Sequence, residues 1–132
     1  LVLYTSYFGR IKDIQRAGLK PVSVSLWAPQ WYTGERALEL APAESTLRKY
    51  KAGRLTNDEY LVEFAEVLKK LNPRKIARQF DDCALLCYEK SDDFCHRHLI
   101  REWLGYFGID SEEWNGQKIQ RLEKRFIQQS LF

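Results

Sequence analysis

The residues with the most chemical capacity fall in one short stretch, Cys87-Tyr88-Glu89-Lys90-Ser91-Asp92-Asp93-Phe94-Cys95-His96-Arg97-His98. It holds two of the three cysteines, both histidines, several acids and an arginine. Thiols and imidazoles ligate metals or act as nucleophiles and bases, carboxylates attack or move protons, and a guanidinium holds anions. Four readings of the stretch are open. A zinc site needs four ligands, and Cys-x3-Cys-x7-Cys-His matches no standard zinc module, so no metal is expected. Cys95 and Arg101 have the Cys-x5-Arg spacing of a phosphatase loop, but Leu99 and Ile100 continue a helical stripe where that chemistry needs a loop of free amides. A structural reading makes His96 a satisfied helix-start histidine, Cys95 a packing residue and Arg97 the partner of an acid. The fourth reading is an active site built from Glu89, Cys95, His96 and Arg97.

The elements around the stretch decide which of these side chains can meet. Cys83-Ala84-Leu85-Leu86-Cys87-Tyr88 is a continuous apolar run, as in a central parallel strand buried on both faces. Alternation puts Cys83, Cys87 and Glu89 on one face, but Cys83 lies roughly 13 Å back along the strand, too far to join a site at its end. It reads as a small buried hydrophobe. Ser91, Asp92 and Asp93 are cap candidates for a helix that reaches Phe107 and stops at Gly108. At about 100° per residue, His96 points along the Leu99, Ile100, Trp103 and Phe107 face, and His98 points roughly 160° away, toward water. Cys95 and Arg97 then flank His96 in a first turn whose free N–H groups favour anions and lower a thiol pKa.

Elsewhere, Leu1 to Tyr4 and Val22 to Leu26 read as strands, with a brief helix around Ile11 and Ile14 between them, a right-handed βαβ unit. Trp27 to Pro42 is a long loop carrying Trp27, Trp31 and Tyr32, either functional or a lid over the core. Thr56-Asn57-Asp58-Glu59 is a capping box ahead of Tyr60, Leu61, Phe64, Leu68 and Leu71 at helical spacing. Asn72-Pro73 breaks that helix and starts a short turn of helix through Arg78. Ile109 to Trp114 is ambiguous, and Ile119, Leu122 and Phe126 suggest a closing helix. The expected fold is therefore a single α/β, Rossmann-like domain over residues 1–132, with a mainly parallel sheet flanked by helices. In such a sheet ligands bind outside the carboxyl ends of the strands, which brings Thr5, Ser6, Tyr7, Trp27 and Glu89 to one edge.

Composition bounds the function. Hydrophobic residues make up 45%, aromatics 14% and charged residues 30% of the 132, the profile of a globular protein. No apolar run approaches the ~18 residues of a membrane span. No secretory leader pattern is evident, so the expected address is the cytoplasm, where three cysteines are kept as thiols rather than a disulfide scaffold. A net charge of +3 is too small for an obligate nucleic-acid binder. The basic groups Lys69, Lys70, Arg74, Lys75 and Arg78, and Lys118, Arg121, Lys124 and Arg125, could meet phosphate or simply be solvated faces.

Leu85-Leu86-Cys87-Tyr88-Glu89, followed by Cys95-His96-Arg97-His98-Leu99-Ile100 and Trp103-Leu104, resembles the signature of the domain of unknown function 488 family. That signature is an apolar strand ending in Cys-x-Glu, a short acidic loop, then Cys-His-Arg opening an apolar helix. Tyr4-Thr5-Ser6-Tyr7 and the Tyr60 helix add to the likeness, which covers most of residues 1–110. The resemblance implies a single α/β domain of bacterial, archaeal or phage origin, and names no reaction. Relatives often carry an arginine at the end of the second strand, where this chain has Leu26, a departure that puts part of a shared site in doubt.

The leading expectation is an uncharacterised hydrolase or transferase acting on a nucleotide or nucleic-acid base, with no cofactor. Glu89 is the nucleophile or general base, with His96 and Cys95 beside it. Arg97 holds phosphate, Thr5 and Ser6 join the pocket, and Tyr7, Trp27 or Trp31 stacks the base. The alternative is a non-catalytic nucleic-acid or protein interaction module using the basic groups; a redox role for Cys87 and Cys95 comes third. A pocket joining Glu89, His96 and Arg97 favours the enzyme, and a flat basic surface favours the module.

Overall fold

Strand β1 (Tyr4–Tyr7), helix α1 (Ile11–Arg16) and strand β2 (Lys20–Ser23) come first, with Gly18 at φ 81° turning the chain out of α1. A positive φ there costs glycine nothing and would strain any other residue. The computed structural model describes residues 2–89, 94–115, 118–121 and 131–132. After β2 come the two-residue strand β3 (Glu35–Arg36) and helices α2 (Glu44–Lys51), α3 (Asn57–Lys69) and α4 (Pro73–Gln79). Then follow β4 (Cys83–Cys87), α5 (His96–Tyr106), β5 (Glu112–Asn115) and β6 (Lys118–Arg121). The sheet order is β3-β2-β4-β1-β5-β6, parallel throughout except for β6, which pairs antiparallel with β5. This is the mainly parallel, Rossmann-like α/β architecture expected from the strand and helix periods. Among the described residues no helix is long and apolar enough to cross a membrane.

All of β4 is buried, and its side chains divide between two cores. Ala84 and Leu86 meet Phe8, Ile14, Tyr32 and Trp114 on the α1 face. Cys83, Leu85 and Cys87 meet Phe64 and Leu68 of α3 and Leu99 and Trp103 of α5 on the other. That two-sided burial is why the run contains no alternation.

Several boundaries differ from the sequence pattern. The first strand is Tyr4–Tyr7 rather than Leu1–Tyr4, because Thr5 and Ser6 are polar yet fully buried, their hydroxyls donating to Glu113 Oε1 and the Trp114 carbonyl of the β5 segment. The second runs Lys20–Ser23 rather than Val22–Leu26: Lys20 and Pro21 pair with Cys83 and Ala84, and after Val24 N–H donates to the Leu86 carbonyl the chain leaves the sheet. β1 and β2 are parallel as expected, but β4 separates them. The polar helix α2 leaves little mark in the apolar pattern, since only Leu47 and Tyr50 pack its inner side against the core. The ambiguous Ile109–Trp114 segment supplies β5. Ile119, expected in a closing helix, lies in β6, where pairing with Trp114 on the neighbouring strand overrides its i, i+3 spacing; Leu122 and Phe126 lie outside the described residues.

The capping box is formed in full: Glu59 N–H donates to Thr56 Oγ1 and Thr56 N–H to Glu59 Oε1. Asn72 caps α4 ahead of Pro73. Replacing Thr56 with Ala should lower stability by about 1 kcal/mol, read as a shift in the urea midpoint at unchanged slope.

Candidate functional site

A cleft of about 540 Å³ opens outside the carboxyl ends of β2 and β4. The chain leaving β2 contributes Ser25, Leu26 and Trp27, the end of β4 contributes Cys87, Tyr88 and Glu89, and the start of α5 contributes Phe94, Cys95 and His96. Leu47, Tyr50 and Lys51 of α2 and Tyr60 of α3 form the facing wall. Tyr50, Tyr60 and Phe94 pack against one another with ring centroids 4.8 to 5.7 Å apart, giving that wall a rigid aromatic patch. Burial, then the charges of Glu89 and Tyr50, push the Tyr60 hydroxyl well above the ordinary tyrosine range, so it is a neutral donor. Trp27, at the mouth, is 40% exposed and carries the Arg48 guanidinium 5.1 Å from its ring centre.

His96 points inward as its helical phase requires. Its Nε2 lies 2.8 Å from the Val24 carbonyl oxygen, its ring edge-on to Phe64, and its Nδ1 3.8 Å from Cys95 Sγ. A carbonyl only accepts, so Nε2 carries the proton and Nδ1 is left with a lone pair. Burial, reinforced by the nearby positive charge of Arg97 and His98 and opposed by the Val24 bond, pushes its pKa down to about 4. The ring is therefore neutral near pH 7.

Arg97 does something other than line this cleft. It is fully buried, its Nε and Nη2 donate to the two oxygens of Glu113 at 3.2 and 2.8 Å, and its Nη1 lies 2.7 Å from Cys87 Sγ. Glu113 also accepts from Thr5 at 2.5 Å. The first turn of a helix favours anions, which makes Arg97 an expected anion holder; the anion it holds is the chain's own carboxylate. Glu113 was missed because nothing near it in the sequence distinguishes it from the exposed acids. Thr5 and Ser6 are absent from the cleft because their hydroxyls donate to β5.

Other expected site residues are also elsewhere. Tyr7 accepts a hydrogen bond from Arg10 at 3.0 Å and does not reach the cleft. Trp31 sits on the α1 face against Phe8 and Tyr32. His98 is buried rather than facing water, because α5 is enclosed on every side from His96 to Leu104, Arg101 and Glu102 included. Cys95 is the extended residue before α5 rather than part of its first turn, and its sulfur is bonded to Cys87. The expected reduced, activated Cys95 thiol is thus not the state seen; the fold brings together two sulfurs eight residues apart that periodicity alone could not pair. Cys83 is buried and free as expected, with burial raising its thiol pKa. Lys69 pairs with Glu66 and the Arg74 guanidinium reaches the Phe107 carbonyl, so that basic group is in part engaged locally. Lys124 and Arg125 lie outside the described residues.

The fold and the cleft define an α/β protein with a concave, aromatic-walled site at the carboxyl edge of a parallel sheet. The chain matches the family model described as the active DUF488-N3 subclade over residues 10–108, most of its length, and belongs to that family, the membership that the resemblance implies. Among curated proteins and among solved structures, nothing matches it.

Truncating Glu113 leaves Arg97 a buried cation without its carboxylate. Glu113→Ala should therefore cost about 3–5 kcal/mol in urea unfolding, while the Arg97→Met, Glu113→Leu double variant should cost less, its remaining cost set by buried Arg101, whose charge Glu113 also offsets.

Proposed function

We propose that the chain is an enzyme whose cleft takes a small molecule with a planar aromatic ring and an anionic group, such as a nucleotide, and that Glu89 acts on it as nucleophile or general base. The observation that carries this reading is the position of Glu89. It leaves the central strand directly into a concave site, between an aromatic wall and the start of α5. Concavity favours a bound small molecule over a flat interaction surface. Trp27 is the stacking residue, exposed at the mouth and within the lining. Lys51, on the facing wall, takes the role of anion holder that Arg97 is not placed to fill. His96, neutral and tied to Val24, positions the cleft floor rather than relaying protons. The description of the matched subclade as active supports catalysis over a purely binding role.

Titration with nucleoside monophosphates, followed by tryptophan fluorescence, tests the binding half. Quenching is expected in the native chain, with Trp27→Ala weakening binding roughly tenfold, the scale of one lost base stack. Equal affinity in the variant would remove Trp27 from the site. Once turnover of a ligand found this way is measured, Glu89→Gln should abolish it while leaving the unfolding midpoint unchanged. Retained activity would sink Glu89 as the reacting group.

A further inference from the structure

The sulfur and imidazole atoms at the floor of the cleft are placed for more than a covalent link. We infer that Cys87, Cys95 and His96, once the two sulfurs are reduced, form a three-ligand site for a thiophilic divalent metal such as zinc, with its remaining coordination position open to the cleft. This stands apart from the nucleotide reading and does not depend on it.

Geometry supplies the first argument. Cys87 Sγ, Cys95 Sγ and a ring nitrogen of His96 lie within 4.8 Å of one another, all three residues buried. The Cα atoms of Cys87 and Cys95 are 7.4 Å apart, wider than the ~4.4–6.8 Å usual for bonded cysteines. Two thiolates on one tetrahedral zinc, each at about 2.3 Å, stand nearly 4 Å apart and suit the wider backbone spacing. Consecutive residues can share the site because Cys95 is extended, with φ −158° and ψ 145°, while His96 begins the helix.

The surroundings supply the second. A histidine ligand commonly donates its other ring N–H to a carbonyl or carboxylate, which fixes its tautomer. His96 does so to Val24, leaving Nδ1 free of its proton on the side of the sulfurs. Arg97 Nη1, 2.7 Å from Cys87 Sγ, stabilises a thiolate there. Two thiolates, a neutral imidazole and a divalent cation sum to zero charge, which a buried site requires. All three ligands line the cleft, and among the described residues no further ligand joins them. Three protein ligands with one open position is the arrangement of catalytic rather than structural zinc.

A phosphine reductant gives two electrons to the Cys87–Cys95 bond and becomes a phosphine oxide, taking its oxygen from water, whose two protons go to the separated sulfurs. The metal then displaces those two protons to solvent.

Cobalt(II) is the probe, since its thiolate complexes absorb where the protein does not. The full chain is reduced with a phosphine, freed of reductant without air, and titrated. The expected result is saturation at one cobalt per chain, with sulfur-to-metal charge-transfer absorption, the visible bands of tetrahedral geometry, and displacement by zinc. The oxidised chain should show none of this. Cys83→Ser, distant from the site, should bind as the native chain does, whereas Cys95→Ser should bind on the order of a hundredfold more weakly. Thiocyanate should shift the visible bands if a coordination position is open. A reduced native chain without the charge-transfer band, or loss of it in Cys83→Ser, would overturn the site whether or not Cys95→Ser folds. Visible bands indifferent to thiocyanate would overturn the open position.

Discussion

The bond between the Arg97 guanidinium and the Glu113 carboxylate is the constraint on which the site depends. Both groups are withdrawn from water, 0% and 1% exposed. A buried charge costs several kcal/mol unless its partner is well placed, so few positions of α5 are permitted. The one observed gives Glu113 both Arg97 donors and Thr5, and gives Cys87 the remaining guanidinium nitrogen. In one stroke α5 is fixed against β5, the adjoining β1 and the end of β4.

Fixing the rotation of α5 fixes what its first residues face. With Arg97 turned toward β5, its neighbour His96 is turned to the chain leaving β2, where the Val24 carbonyl receives its N–H. Cys95 is carried to the end of β4 and meets Cys87. The cleft floor is therefore assembled by a polar interaction beneath it, between residues outside the lining. Arg97 and Thr5 matter to this site without lining it.

The walls have a different origin. Tyr50, Tyr60 and Phe94 come from three separate segments and are brought together by ordinary apolar packing of α2 and α3 against the sheet. One side of the cleft is thus polar and held by specific bonds. The other is aromatic and held by contact area. A site so built sets a floor of sulfur and imidazole atoms against a surface suited to a flat, apolar group.

Local and periodic features were readable in the sequence because their causes are local. The capping box at Thr56, the proline start of α4, the glycine stop after α5, the central strand at Cys83–Cys87, the inward phase of His96 and the isolation of Cys83 all follow from neighbours within a few residues. So does the position of Glu89 at the end of the central strand, and with it the general place of the cleft. What needed the tertiary structure were the pairings between distant segments. Arg97 looks like an anion-binding residue until Glu113 is seen beside it. Thr5 and Ser6 look like loop hydroxyls until β5 lies alongside. His98 looks exposed until α5 proves to be enclosed. Helical phase states the direction in which a side chain points but not what waits there. Hydrogen bonds and charges act over a few ångströms in space, whatever the separation along the chain.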